Sequence, residues 1–266
     1  MTLNPESLLP IYSICSESYR EVHAVFRASL EAIDYPAEKV VTLFYDDSDV
    51  VARGFQTPSW YFAIQEKLRF ILSQVQAHPG QFIIASDVDI QFFPPFRDVD
   101  LGRVMEKHGL DLLFMREVAQ EEPSINGGFI VIRCTADVAR LMEAVLERIS
   151  QEQLPYADQT AFTEALRSGR HPVRVETIHQ SKVIWGLVMP AVVSDAWFHH
   201  AVCCYTNPEK LAQFEVVRAA VSACPRGFAA IAQRMKTRCR RLLGQERIVS
   251  GSRRQRHQAS ADASET

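Results

Sequence analysis

Residues 82–96 read Phe-Ile-Ile-Ala-Ser-Asp-Val-Asp-Ile-Gln-Phe-Phe-Pro-Pro-Phe. The apolar run Phe82 to Ala85 has no alternation, so it predicts a strand buried on both faces, as in a parallel sheet. It stops at two carboxylates, Asp87 and Asp89, spaced i, i+2. In open α/β sheets, ligands collect just beyond the carboxyl ends of the strands. Two adjacent anions repel there unless a cation sits between them. Hard oxygen donors suit Mg2+ or Mn2+. A polar strand end whose aspartates cap the next turn is the competing reading of the pair.

Working outward, the first ~115 residues alternate strand and helix signals, the pattern of a doubly wound α/β sheet. Ile11 to Cys15 predicts the first strand. Ser18 and Glu21 then suggest a capping box for a helix with Val22, Val25, Phe26, Leu30 and Ile33 along one stripe. Val40 to Tyr45 predicts a second strand. Thr57-Pro58 supplies a cap and an N1 proline for a long helix bearing Tyr61, Ile64, Leu68, Ile71 and Val75 on one face. Pro79-Gly80 ends it, and Leu110 to Met115 is a further strand candidate.

Later elements are shorter. Asn126-Gly127-Gly128 introduces a strand at Phe129 to Ile132, and Thr135 can cap a helix with Val138, Leu141, Met142, Val145 and Ile149 inward. Asp158 opens another helix, Val173–Ile178 and Val183–Val188 predict strands, and Asn207-Pro208 starts a helix running toward Ala223. The expected organisation is one domain over residues 1–223, a basic helix over 224–247 and a disordered tail over 248–266.

At 266 residues and 47% apolar content, the chain can bury a substantial core. No window approaches the ~20 apolar residues of a membrane span, and the first residues lack a secretion-signal pattern. Six cysteines show no zinc spacing. The expectation is a cytoplasmic protein. The net charge of -3 hides an asymmetry: residues 234–256 carry nine basic groups against the single acid Glu246. The remaining body is acidic, which argues against nucleic acid as a partner.

The order of motifs is more specific than any one of them. A strand ending in Asp-x-Asp, then Asn-Gly-Gly-Phe-Ile-Val, then Asp-Gln-Thr-Ala-Phe, then His-Ala resembles the nucleotide-diphospho-sugar transferases, glycosyltransferases of the GT-A fold. That resemblance implies a Rossmann-like, mostly parallel sheet flanked by helices, with a C-terminal helical extension. It implies a nucleotide-diphosphate sugar as donor and a divalent metal, Mn2+ or Mg2+, with Asp87, Asp89 and His200 as ligands. His199 is the neighbour on the same predicted strand, where adjacent side chains point to opposite faces.

Further roles are carried over from the same resemblance. Asp87 and Lys67 would contact the nucleotide or its phosphates. Gly127 and Gly128 would line the donor, with the Asn126 amide available to sugar hydroxyls. Asp158 would lie near the donor sugar, although it can equally be a helix cap. Lys67 and Arg69, at i, i+2, cannot share a helix face, so at most one of them points toward the phosphates, and a solvated helix face is the alternative. The turn Cys15 to Ser18 would meet the base and ribose, and Trp197, beside the histidines, could stack on a sugar. The resemblance favours retention of anomeric configuration. If the reaction inverts instead, Asp158 and Glu117 are candidate bases.

The segment Phe228 to Leu243 sets Phe228, Ile231, Met235 and Leu242 at helical spacing among arginines and lysine. A basic amphipathic helix can lie on an anionic membrane surface, which suits a glycan or lipid-linked acceptor at the inner face of the membrane. A terminal helix with a solvated charged face is the alternative. Two other functions compete. A phosphohydrolase of the haloacid-dehalogenase type also uses Asp-x-Asp, but on its first strand and with a later Gly-Asp-x-x-x-Asp motif that is absent here. A non-catalytic nucleotide-sugar or glycan-binding domain is the third.

Overall fold

Two strand–helix units come first, as the apolar periodicity predicts. β1 (Ile11–Ser16) leads through α1 (Arg20–Glu31) to β2 (Val40–Tyr45), and α2 (Pro58–Ala77) leads to β3 (Phe82–Ser86). The computed structural model describes residues 4–47, 56–117, 124–190, 193–204 and 206–223. The predicted basic helix and tail lie outside the described residues. After β3 come β4 (Ile90–Phe92), α3 (Pro94–Arg97), α4 (Leu101–His108), β5 (Leu112–Glu117) and β6 (Ser124–Arg133). Then follow α5 (Ala136–Gln151), α6 (Ala157–Arg167), β7 (Val175–Thr177), β8 (Val183–Trp185), β9 (Phe198–His200) and α7 (Asn207–Ala223).

The main sheet has the order β2-β1-β3-β6-β5-β7. β6 is antiparallel to both β3 and β5, while the other pairings are parallel. Helices cover both faces. On one, Ile11 and Cys15 of β1 meet Phe26 and Leu30 of α1 and Met105 of α4. On the other, Tyr12 meets Leu68 and Ile71 of α2, with Leu141 of α5 and Phe162 of α6. Burial on both sides explains why β3 reads as a continuous apolar run. Cys15 and Cys134 pack there as buried free thiols, and burial pushes the Cys15 thiol up to about 12.

β4, β9 and β8 form a separate three-stranded sheet, with β4 antiparallel and β8 parallel to β9. Aromatic rings join the two sheets. Phe129 of β6 and Phe198 of β9, both fully buried, stack with centroids 4.6 Å apart. Phe92 of β4 closes the group at 5.9 Å from Phe198.

Helix caps at Thr57 and Thr135 form as expected, each hydroxyl accepting from a backbone N–H of the first turn. The Ser18–Glu21 capping box does not form. α1 begins at Arg20, and Ser18 instead donates its backbone N–H and its hydroxyl to Asp47 beyond β2. Asn126-Gly127-Gly128 is not a turn before a strand but lies inside β6. Phe114 pairs with Ile130 and Met115 with Asn126, so β6 carries three extra residues at a bulge. Across it the facing alternation switches: Ile125 lies on the α2 side, whereas Phe129 lies on the α1 side.

Phe198→Ala should lower the unfolding free energy by about 3–5 kcal/mol, because it empties the junction between the sheets. Urea denaturation followed by tryptophan fluorescence checks this. A loss below 1 kcal/mol would mean that the two sheets are held together elsewhere.

Candidate active site

Asp87 and Asp89 lie on the segment that leaves the main sheet after β3 and enters the small sheet at β4. Both sheets fix its backbone: the Asp87 N–H donates to the Gly128 carbonyl at 2.7 Å, and the Ala201 N–H donates to the Asp89 carbonyl at 2.9 Å. Val88, between them, is buried in the core. The i, i+2 spacing therefore puts both carboxylates on one side.

β9 supplies the imidazole. His200 Nε2 is 3.2 Å from Asp89 Oδ1, and Nδ1 is buried with no hydrogen-bond partner among the described residues. One ligand atom each from Asp87, Asp89 and His200 lies within 4.8 Å of the others. His199 points the other way. Its Nε2 is 3.1 Å from Gln213 Oε1, and burial pushes its pKa down to about 4. The tryptophan that meets His200 is Trp185, edge-on at 5.6 Å between centroids. Trp197, partly buried, packs against the core with Lys182 over its ring.

Two lysines enter the same cluster. Lys67, buried on α2, reaches Asp158 Oδ2 at 2.8 Å and Asp87 Oδ1 at 3.1 Å, and donates to the Gly127 carbonyl at 3.3 Å. Burial opposes its charge, but the two carboxylates outweigh burial and hold its pKa above the ordinary lysine value. Arg69 pairs with Glu66 and Gln65 on the exposed side of α2. Lys210 of α7 donates to Asp89 Oδ2 and, at 2.9 Å, to the Ala201 carbonyl. Burial would raise the Asp89 carboxyl; Lys210 and His200 overcome it and leave the group well below the usual range. Asp87 moves the opposite way, raised first by burial. The paired carboxylates are thus not bare anions awaiting a dication: Lys210 faces Asp89, and Lys67 is shared by Asp87 and Asp158.

β6 and α6 complete the arrangement. Asp158, 5% exposed, is not the N-cap of α6, although its Oδ1 accepts from the Gln159 N–H of the first turn at 3.0 Å. Tyr156, at φ 52°, holds that position, and the Asp158 side chain is turned to Lys67. The Asn126 amide is engaged within the protein rather than held out to a ligand. It donates to Glu117 Oε2 at 3.1 Å and accepts from the Gly128 N–H at 2.8 Å. A Cβ on Gly127 would stand 2.3 Å from Asp158 Oδ2, and one on Gly128 would stand 2.5 Å from His200 Cε1. Hydrogen is the only side chain that fits at either place.

A family model described as nucleotide-diphospho-sugar transferase matches residues 30–214, a span that includes both aspartates, His200 and both lysines. The chain belongs to the nucleotide-diphospho-sugar transferase family. It is accordingly a glycosyltransferase, with the GT-A fold. Among solved structures it is similar to a glycosyltransferase involved in the glycosylation of the major capsid of PBCV-1. Identity is 13%, coverage is 79% of this chain and 99% of that one, and the TM-score is 0.53. It is also similar to the galactosyltransferase LgtC in complex with donor and acceptor sugar analogs, at 13% identity and TM-score 0.49, covering 84% of this chain and 99% of that one. No curated protein sequence matches the chain.

Family membership sets aside the phosphohydrolase reading. Of the transferase's cluster, the sequence motifs mark the carboxylates, Lys67 and His200, but not Lys210. The motifs end before α7, and the only earlier signal was an unassigned cation one turn into a helix that follows the His-Ala pair.

Gly128→Ala should disturb the site more than the fold: Gly128 has no positive φ, and the atoms that its new methyl would crowd, His200 Cε1 at 2.5 Å and Asn126 Oδ1 at 2.9 Å, belong to side chains of the site. Mn2+-dependent nucleotide binding, measured by calorimetry, should weaken roughly 10–100-fold, the usual range for disturbing a ligand's support, with a thermal midpoint within a few degrees of wild type. Unchanged binding would remove His200 from the site.

Proposed function

We propose that this transferase moves a glycosyl group from a nucleoside diphosphate sugar to an acceptor hydroxyl, using Mn2+ or Mg2+ held by Asp87, Asp89 and His200. The observation that carries the reading is the convergence of two carboxylates and an imidazole at the rim where two sheets meet. The donor set fits such an ion. Neighbouring ligands ~2.1 Å from an octahedral cation stand about 3 Å apart, close to the 3.2 Å between His200 Nε2 and Asp89 Oδ1. When bound, the cation would offset diphosphate charge and make it a better leaving group.

The chain's own residues do the rest. Lys67 fixes Asp158 and Asp87 in one arrangement, so α6 and the carboxylate segment cannot drift apart. The side chains missing at Gly127 and Gly128 let Asp158 and the His200 imidazole close on the β6 backbone. Asn126 acts as a positioning residue through Gly128 and Glu117. In the transfer, the bond from the anomeric carbon to the diphosphate oxygen breaks, and that oxygen keeps the electron pair. The acceptor oxygen bonds to the same carbon and loses its proton.

Retention of configuration is the reading we favour. An inverting reaction needs a free carboxylate as base. Asp158 is held by Lys67 and Glu117 by Asn126, so neither is available without breaking a buried contact. In a retaining reaction the departing phosphate oxygen can take the proton itself. The acceptor we propose is a cell-surface or lipid-linked glycan, reached from the cytoplasmic side of a membrane. Its support is the basic amphipathic pattern of residues 228–243 in the sequence. Among the described residues, no helix is long and apolar enough to cross a membrane.

Calorimetry with UDP and GDP, with and without Mn2+, tests the core of the reading. Binding of one nucleotide should require the metal, and Asp89→Ala should weaken it by at least about tenfold. Binding indifferent to both metal and substitution would sink the proposal. Once a donor is identified, the anomeric configuration of the product by NMR decides between retention and inversion.

A further inference from the structure

Lys210 is placed by packing that owes nothing to a ligand. α7 is docked on α1, with Leu211 and Phe214 against Val22 and Val25. Asn207 Nδ2 donates to the Ser18 carbonyl at 2.8 Å. The Lys210 ammonium lies 5.8 Å from the Tyr19 ring centroid and donates to the Ala201 carbonyl at 2.9 Å. Its remaining reach goes to Asp89 Oδ2, in a pair whose side chains are 13% and 14% exposed. The other oxygen of the same carboxylate faces His200. A cation fixed by the fold therefore already sits on one of the three candidate metal ligands.

Charge counting shows what this does. The cluster holds three carboxylates, Asp87, Asp89 and Asp158, against two ammoniums, Lys67 and Lys210. A dication arriving alone gains one surplus negative charge and meets an ammonium beside it. A diphosphate arriving alone meets the carboxylates. Together the two ligands nearly cancel, and the diphosphate offers Lys210 an alternative partner. In a partly desolvated site, each of these terms is larger than in water.

We infer that Lys210 is a built-in counter-ion of Asp89 that keeps a lone divalent cation from binding well, and that it yields the carboxylate when the donor's diphosphate arrives to accept its ammonium. Metal and donor then bind as a coupled pair. This inference rests on the metal-dependent reading above.

The test uses the full-length chain and the electron paramagnetic resonance signal of free Mn2+, with and without UDP or GDP. Wild type should bind Mn2+ weakly alone and on the order of tenfold more tightly with the preferred nucleotide, within the usual range of coupling between sites. Lys210→Met should bind Mn2+ alone on the order of tenfold more tightly than wild type and gain less from nucleotide. Lys210→Arg, which keeps the charge, should behave as wild type does, and circular dichroism checks that each variant is folded. A Lys210 with only a structural role would not raise the affinity for the metal. If wild type shows metal-dependent nucleotide binding but Lys210→Met binds lone Mn2+ no better, this inference fails and the proposed function stands. Equal Mn2+ affinity of wild type with and without nucleotide also overturns it, without recourse to a variant. If no protein binds Mn2+ under any condition, the metal-dependent reading falls and takes this inference with it.

Discussion

The buried ammonium of Lys67 is the interaction around which the rest is arranged. An unpaired charge in a protein interior is costly enough that partners must converge on it. Here they come to the lysine of α2 from three directions: the segment after β3 brings Asp87, β6 brings the Gly127 carbonyl, and α6 brings Asp158. Each of those elements is held by its own apolar face, yet those faces alone would permit small slides along the sheet. A shared charge with fixed acceptors does not. The site is stiff because its electrostatics and its packing specify the same geometry.

A second ammonium changes how the aspartate pair is understood. Two carboxylates at a strand's end suggest a missing dication, because like charges in proximity demand compensation. The structure meets that demand from within, with Lys210 on Asp89 and Lys67 shared between Asp87 and Asp158. Divalent-ion binding at this rim is then a matter of exchange between counter-ions rather than of filling an electrostatic vacuum. The opposite shifts of Asp87 and Asp89 fit this view. Asp89 faces both Lys210 and His200 and stays firmly ionised, while Asp87 shares its lysine with Asp158.

Much of this was legible in the sequence, and the exceptions have physical causes. The long helices announced themselves through stripe and cap, as at Thr57-Pro58 and Thr135, and the two-sided burial of β3 showed in its unbroken apolar run. Three-residue strands are too short to carry a period, so the small sheet of β4, β8 and β9 was not separable from the main one. The bulge in β6 was hidden because Asn-Gly-Gly is also turn chemistry; only the pairing of β5 with β6 distinguishes the two. Lys67 could be preferred over Arg69 from the motif pattern. Lys210 could not be found, because its partner lies 121 positions earlier and they meet only after α7 folds back on α1. Trp185, fifteen positions before His200, was equally hidden as the ring that meets it.

The paired glycines of β6 make that strand a close-fitting seat for two members of the cluster. Asp158 presses to where a methyl would be on Gly127, and the imidazole of His200 does the same at Gly128. A side chain at either position would push a carboxylate or an imidazole off its present contacts. The spacing of the whole cluster is thereby calibrated by two hydrogens of one strand.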